Sequence, residues 1–189
     1  MKYCKICLEN NLRPNVKFKE GKCPSCYYIK RNESEHFWRK RLELLKKITF
    51  KYKNSKNNFD CIVGVSGGKD STRQALWVRD KLGLNPLLVC LSYPPQQVTS
   101  TGADNISNLV KLGFDVIISS LAPQTWKIIM KESFLKFANW AKPTELALFS
   151  SVPQLAIKFK IPLIIWGENV GLQVGDMAST SKKQYDGKN

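Results

Sequence analysis

Two short stretches of this 189-residue chain carry residue types at spacings that can do chemistry. The first is a set of four cysteines, Cys4, Cys7, Cys23 and Cys26, in the order C-x2-C-x15-C-x2-C. Each C-x2-C lets a tight turn point two sulfurs the same way, and two such pairs can surround one tetrahedral metal ion. Gly21 and Pro24 are the turn formers expected around the second pair. The spacing predicts a zinc ribbon over residues 1–31, with four thiolates on one zinc. Four thiolates leave no open coordination position, so the role of such a site is structural. A segment this short cannot build a core of its own, and the metal would supply its folding free energy, on the order of 10 kcal/mol in comparable peptides. A disulfide framework is the alternative, and it does not suit a chain read as cytoplasmic.

The second stretch is "CIVGVSGGKDST", residues 61–72. Gly67 and Gly68 fall between an apolar run and the start of a helical pattern. Unpaired backbone N–H groups and the helix dipole at such a junction attract an anion, phosphate foremost. Glycines let the backbone approach phosphate oxygens, Lys69 adds a positive charge, and Ser66 and Ser71 supply hydroxyls. The spacing is neither that of a Walker A loop nor G-x-G-x-x-G. A plain tight turn would explain two glycines but not the serines, lysine and aspartate gathered around them.

The elements that must position these residues follow from the apolar pattern. Strands are predicted over 59–65, 85–93, 114–120 and 161–167. Helices are predicted over 69–82 and 103–112, ended by Gly83 and Gly113, with two further helical stretches across 123–158. Strand runs that are apolar throughout, alternating with helices, predict a parallel sheet covered on both faces, a doubly wound α/β unit. Ligands of such sheets sit at the carboxyl ends of the strands, so the residues just after 65, 91, 120 and 166 should converge. Residues 32–53 read as a basic helix with Ser34 as N-cap and an apolar face of Phe37, Leu42, Leu45 and Ile48. The predicted organisation is a ribbon over 1–31, a connecting helix and linker over 32–58, and the α/β domain over 59–189.

Thirty Lys and Arg against fifteen Asp and Glu give a net charge of +15. The excess is uneven, with sixteen basic and six acidic residues in the first sixty. An anionic small substrate, a nucleic acid and a solvated Lys-rich face all fit such a balance, and charge alone does not choose among them. No apolar stretch reaches the ~18 residues of a membrane helix, and the N-terminus lacks the apolar core of a signal peptide. The expectation is a soluble cytoplasmic protein with no membrane partner. His36, the sole histidine, reads as a surface or packing residue. Cys61 and Cys90 lie in predicted strand interiors and read as inert buried thiols.

The loop resembles the S-G-G-x-D-S signature of the PP-loop ATP pyrophosphatases, which cleave ATP between the α- and β-phosphates and adenylylate a substrate oxygen. The resemblance implies that Ser66, Gly67, Gly68, Lys69, Asp70 and Ser71 hold the triphosphate, and that Asp70 helps to bind magnesium. It also implies that Leu91, Ser92 and Gly167 lie near the nucleotide. Magnesium keeps one or two carboxylates beside phosphate oxygens, and Glu168, in "WGEN" after the fourth strand, is the second acid expected. Lys69, Asp70 and Glu168 are thus the candidate catalytic residues.

Over residues 3–176 the order and spacing of "YCKICLENNLRPNVKFKEGKCPSC", "DCIVGVSGGKDST", "LGLNPLLV", "NLVKLGFDVI" and "IPLIIWGEN" resemble the N-acetyl sugar amidotransferases of bacterial surface-polysaccharide biosynthesis. The resemblance implies conversion of an acetamido group to an acetamidino group through an O-adenylyl intermediate and ammonia, in lipopolysaccharide, O-antigen or nonulosonic acid synthesis. It implies ATP, Mg2+ and Zn2+, an N-acetylated nucleotide sugar or nonulosonic acid as acceptor, and a separate glutaminase subunit as ammonia source. Nucleic acid is not expected as a partner. "YPPQQVTSTG", residues 93–102, reads as a substrate loop. Members of that family are nearly twice as long, so the expectation includes an α/β domain cut short at its C-terminal end. Two other readings stay open: a non-catalytic ATP-binding subunit, and a tRNA-modifying PP-loop enzyme of thiolation or lysidine type. Thiolation in those families relies on active-site cysteines, a role that Cys61 and Cys90 do not fit.

Overall fold

Four apolar runs become the strands of one sheet, β1 (Cys61–Gly64), β2 (Pro86–Ser92), β3 (Val116–Ser120) and β4 (Ile164–Ile165), ordered β3-β2-β1-β4. This computed structural model describes residues 1–12, 17–31, 34–53, 58–93 and 98–167. Every pairing is parallel, from Cys61 opposite Pro86 to Gly64 opposite Val89, and from Leu88 opposite Val116 to Ser92 opposite Ser120. On the other side of β1, Ile62 and Val63 face Ile164 and Ile165. Parallel neighbours need crossovers, and helices supply them: α3 (Lys69–Asp80), α4 (Ser100–Lys111), α5 (Pro123–Phe137) and α6 (Lys142–Lys158).

Side chains alternate across a strand, so each strand feeds two cores. Cys61, Val63, Leu88 and Cys90 pack with Ala75 and Val78 of α3 and Leu109 of α4. Ile62, Leu87 and Val89 pack on the opposite face with Val152 and Ala156 of α6. Ile62, Val63 and Leu88 have no exposed surface, and burying each such side chain contributes about 1.5–3 kcal/mol. This is the doubly wound α/β unit expected. The strand order reverses at β1, with β2 and β3 to one side and β4 to the other, which puts a crevice at the carboxyl end of β1.

The predicted strands are longer than the observed ones, for local reasons. Asp60 stops short of the ladder because its amide donates to the Asn85 carbonyl (2.9 Å) while its carboxylate accepts from the Asn85 amide (2.8 Å). Only two residues of 161–167 pair, since β4 touches β1 alone among the described strands. Helix α4 begins three residues earlier than predicted because the Thr99 side chain accepts from the Gly102 amide at 3.1 Å and caps it. Between α5 and α6, Asn139 accepts from the amides of Ala141 and Lys142 and so caps α6.

The described residues divide into two compact units, Met1–Leu45 and Lys46–Gly167. In the first, antiparallel bridges join Tyr3 to Asn10 and Lys19 to Lys22. A helix that the sequence reading does not contain, α1 (Pro24–Arg31), begins directly after Cys23 with proline in its opening position. Helix α2 (Glu35–Phe50) is the predicted basic helix, and Ser34 caps it by accepting from the Phe37 amide at 3.2 Å. Its predicted apolar face is only partly used: Phe37, Leu42 and Leu45 are half-buried, and Ile48 is exposed. Among the described residues, no helix is long and apolar enough to cross a membrane.

Candidate functional site

The loop from Ser66 to Gly68 joins the end of β1 to α3, with Gly68 as the N-cap in an ordinary extended conformation (φ −69°, ψ 171°). Gly67 differs, with a left-handed φ of +77°. A Cβ there would stand 2.9 Å from the Asn105 carbonyl carbon and 3.0 Å from its oxygen, on α4. Conformation and space both call for glycine at 67.

Side chains brace the turn from within. The Ser66 amide donates to Ser71 Oγ (3.3 Å), the Gly68 amide to Ser66 Oγ (3.4 Å), and Ser71 Oγ to the Gly68 carbonyl (3.2 Å). Thr72 Oγ1 donates to the Gly67 carbonyl at 3.1 Å. The first intrahelical bond runs from the Thr72 amide to Gly68 at 3.0 Å. The amides of Lys69, Asp70 and Ser71 come before it and have no carbonyl one turn back, so they face outward with the positive end of the helix dipole. Lys69 and Asp70 are exposed, and neither belongs to an ion pair among the described residues.

All strands run the same way, so the other candidates lie at the same edge of the sheet. Leu91 and Ser92 end β2 opposite Ser119 and Ser120 of β3. Gly167 follows β4 and is tied to α3, because Gln74 Nε2 donates to the Ile165 carbonyl at 3.2 Å and the same carboxamide fills the space a Gly167 Cβ would need. Glu168 and residues 94–97 of the expected substrate loop lie outside the described residues. Thr72, Gln74 and Asn105 are participants that sequence reasoning missed. Thr72 and Gln74 sit within the first turns after the loop and could have been found there, whereas Asn105 comes from another helix with no local signal.

Beside Leu91 opens a cavity of about 680 Å³, walled by Ser119 near the end of β3, by Leu121 just after it and by α5 and α6. Its walls are mainly apolar, with Glu132, Lys136 and Lys142 among the lining residues.

In the first unit, the sulfurs of Cys4, Cys7, Cys23 and Cys26 all lie within 4.8 Å of one another. Cys4 is buried and its sulfur accepts from the amides of Cys23 (3.2 Å) and Ile6 (3.4 Å). Burial opposes ionisation of Cys4, but the amide donors outweigh it together and bring the thiol down to about 6. Cys23 and Cys26 are pushed up, first by burial and in Cys26 then by the neighbouring thiols. Thiolates this crowded repel one another unless a cation sits among them, which is what a four-cysteine metal site provides. Elsewhere, burial and then the Asp60 charge push Cys61 up to about 12, and burial raises Cys90. Both lie buried in the strands where the sequence placed them, and burial that disfavours the thiolate disfavours its reactions. His36 is exposed.

No protein-family model matches the chain, and no curated protein does. Solved structures do. The NMN synthetase of Francisella tularensis superposes with a TM-score of 0.51 at 16% identity, over 70% of this chain and 53% of that one. The ammonia-dependent NAD synthetase of Campylobacter jejuni, solved with a nitrate ion, gives 0.50 at 22% identity over 73% and 60%. The chain therefore spans between about half and three-fifths of those proteins. The α/β unit shares its doubly wound, Rossmann-like fold with those two synthetases, and a cluster of four cysteines able to hold a metal ion precedes it in the chain.

Proposed function

We propose that the chain is an ATP-dependent amidotransferase that converts the acetamido group of an activated N-acetylated sugar into an acetamidino group. The observation that carries this reading is the β1–α3 junction, where a left-handed Gly67, cross-bonded serines and the outward amides of Lys69, Asp70 and Ser71 make a cradle for phosphate. In this reading Ser66 to Ser71 grip the triphosphate, and Leu91, Ser92 and Gly167 lie along the nucleoside. The amides and Lys69 stabilise the charge that builds on the departing pyrophosphate, where such donors are most effective. The exposed Asp70 would hold magnesium, with Glu168 as the second acid. Bound there, the ion would supply charge neutralisation at the phosphates.

The chemistry balances in two steps. The acetamido oxygen attacks the α-phosphorus of ATP, the bond from that phosphorus to the bridging oxygen breaks, and pyrophosphate leaves with the electron pair. Ammonia then adds to the imidate carbon and gives up a proton, and AMP departs carrying the former amide oxygen. Use of ammonia by the NAD synthetase of the same fold agrees with ammonia as the nitrogen donor here, and a separate glutaminase subunit is proposed as its source.

Zinc is the metal proposed for the four cysteines. Tetrahedral zinc with bonds of ~2.3 Å holds its sulfurs roughly 3.8 Å apart, in line with the 3.5 Å between Cys7 and Cys23 and the 4.8 Å limit for the set. A [4Fe–4S] cluster gives each thiolate its own iron and a [2Fe–2S] cluster puts two on each, and both spread the four sulfurs more widely than a single ion does.

Incubation with ATP, magnesium, ammonium and N-acetylated nucleotide sugars tests the activity. AMP and pyrophosphate should form only when sugar and ammonium are both present, the sugar should show the mass change of O-to-NH exchange, and Asp70→Ala should abolish both. Release of ADP and phosphate, or AMP formation driven by tRNA in place of a sugar, would overturn the proposal.

A further inference from the structure

The N-terminal hairpin of the first unit carries a surface that the four-cysteine site does not account for. Residues 1–12 fold back at the turn from Cys4 to Cys7, with Tyr3 bridged to Asn10 and the Cys4 amide donating to the Glu9 carbonyl at 2.7 Å. Cys4 is buried and its sulfur joins the cluster. At the tip, by contrast, Ile6 is 63% exposed and Leu8 76%, and Tyr3 and Leu12 on the two arms are exposed as well. Leu8 closes the turn, its amide donating to the Cys4 carbonyl at 3.3 Å, and its backbone is left-handed with φ +62°. Glycine would take that conformation without penalty and would expose no apolar side chain. A leucine there bears two costs at one position, and strain kept at an exposed apolar residue points to a contact.

The charges beside this tip are mostly lysines. Lys2 and Lys5 belong to the hairpin, and the Lys5 amide donates to the Gly21 carbonyl at 2.9 Å, which brings the second cysteine turn alongside with its bridged Lys19 and Lys22. Against them stand the half-buried Glu9 and the exposed Glu20. None of the four lysines belongs to an ion pair among the described residues. Apolar and basic groups together narrow the partner. A nucleic acid asks for flat rings on which bases stack, and Tyr3 is the one ring in the hairpin. A protein partner favours Trp, Tyr and Arg at its anchors, whereas Leu is under-represented there and Lys is depleted from interfaces. An anionic bilayer suits the whole set: aliphatic side chains enter the acyl region, tyrosine sits at the boundary, and lysines reach back to the headgroups.

We propose that the tip of this hairpin is a membrane-docking surface, with Ile6 and Leu8 inserted among the acyl chains of an anionic phospholipid bilayer and Lys2 and Lys5 at its headgroups. The sequence reading expected no membrane partner on the ground that no apolar stretch could span one, and a surface that rests on a bilayer needs no span. The proposal stands apart from the reaction assigned to the α/β unit.

Sedimentation of the full chain with vesicles tests this, using phosphatidylcholine alone and an equal mixture of phosphatidylcholine and phosphatidylglycerol. The chain should bind the mixed vesicles and not the neutral ones. A net charge of +15 can adsorb to anionic lipid unaided, so the deciding variant keeps every charge. Ile6→Ser combined with Leu8→Gly should weaken binding about tenfold or more, and because glycine relieves the left-handed backbone the melting temperature should not fall. Lys5→Gln should weaken binding about fivefold at low salt and hardly at all at high salt, where that attraction is screened. In Ile6→Trp, the added tryptophan should be quenched by brominated acyl chains. Equal binding by the wild type and the doubly altered chain would reduce the effect to adsorption of a basic protein and overturn the proposal. So would failure to bind mixed vesicles. A tRNA gel shift lost in the double variant would then assign the tip to nucleic acid, and a dimer lost in it would assign the tip to a second copy of the chain.

Discussion

Gly67→Ala is the perturbation whose cost can be worked out most fully. Alanine at φ +77° pays the left-handed penalty of roughly 1–2 kcal/mol. Its Cβ would also press to 2.9 and 3.0 Å on main-chain atoms of Asn105 in α4, which cannot swing aside as a flexible side chain would. Overpacking of that kind adds about 1–3 kcal/mol. The expected loss is therefore about 2–5 kcal/mol, which for a chain of this size lowers the melting temperature by roughly 4–20 °C. Gly68→Ala is the internal control. Its backbone is already extended, and its Cβ would meet only Ser66 Oγ at 3.5 Å, an ordinary contact, so a loss below about 1 kcal/mol is expected. Urea unfolding followed by circular dichroism measures both. If Gly67→Ala costs less than Gly68→Ala, or if both are neutral, the account of the loop as a turn pressed against α4 is wrong.

Three further outcomes follow from the same geometry. Ser71→Ala removes the acceptor of the Ser66 amide and the donor to Gly68, so ATP should bind about five- to tenfold more weakly for a stability loss of only ~1 kcal/mol, read by calorimetry and urea unfolding. Metal analysis should find one zinc per chain, and a chelator at neutral pH should expose the four clustered thiols to a colorimetric thiol reagent while Cys61 and Cys90 stay unreactive until the α/β unit unfolds. Cys61 supplies a pH dependence: its folded thiol titrates at about 12 against an ordinary 9.0, so the unfolded chain loses that proton first. Its contribution is whole below pH 9 and fades as pH rises, by up to ~1.4 kcal/mol per unit. Wild type should lose stability between pH 9 and 11 more steeply than Cys61→Ala, and parallel curves would contradict the burial assigned to that thiol.

The sequence carried the α/β unit well because its information is local. Apolar runs such as 86–91, glycines at 83 and 113, and the Ser34 cap are signals confined to a few neighbours, and each reappears as an element or an end. The strand ends were less legible, since pairing decides them: nothing near Ile164 says that only two residues will meet β1. Helix α1 was hidden because Pro24 was read as a turn former, although proline opens helices as readily. Four cysteines brought together by spacing alone gave the metal centre. The cavity had no such signature. It is assembled from β2, β3, α5 and α6, whose residues are far apart in the chain and, Leu91 aside, individually unremarked.

The account depends most on where a nucleoside triphosphate settles. Crystals grown with magnesium and a non-hydrolysable ATP analogue would show this directly. The expected density places the β- and γ-phosphates against the amides of Lys69, Asp70 and Ser71, with the metal ion on Asp70. A triphosphate bound elsewhere, with the junction of β1 and α3 left to water, would contradict it.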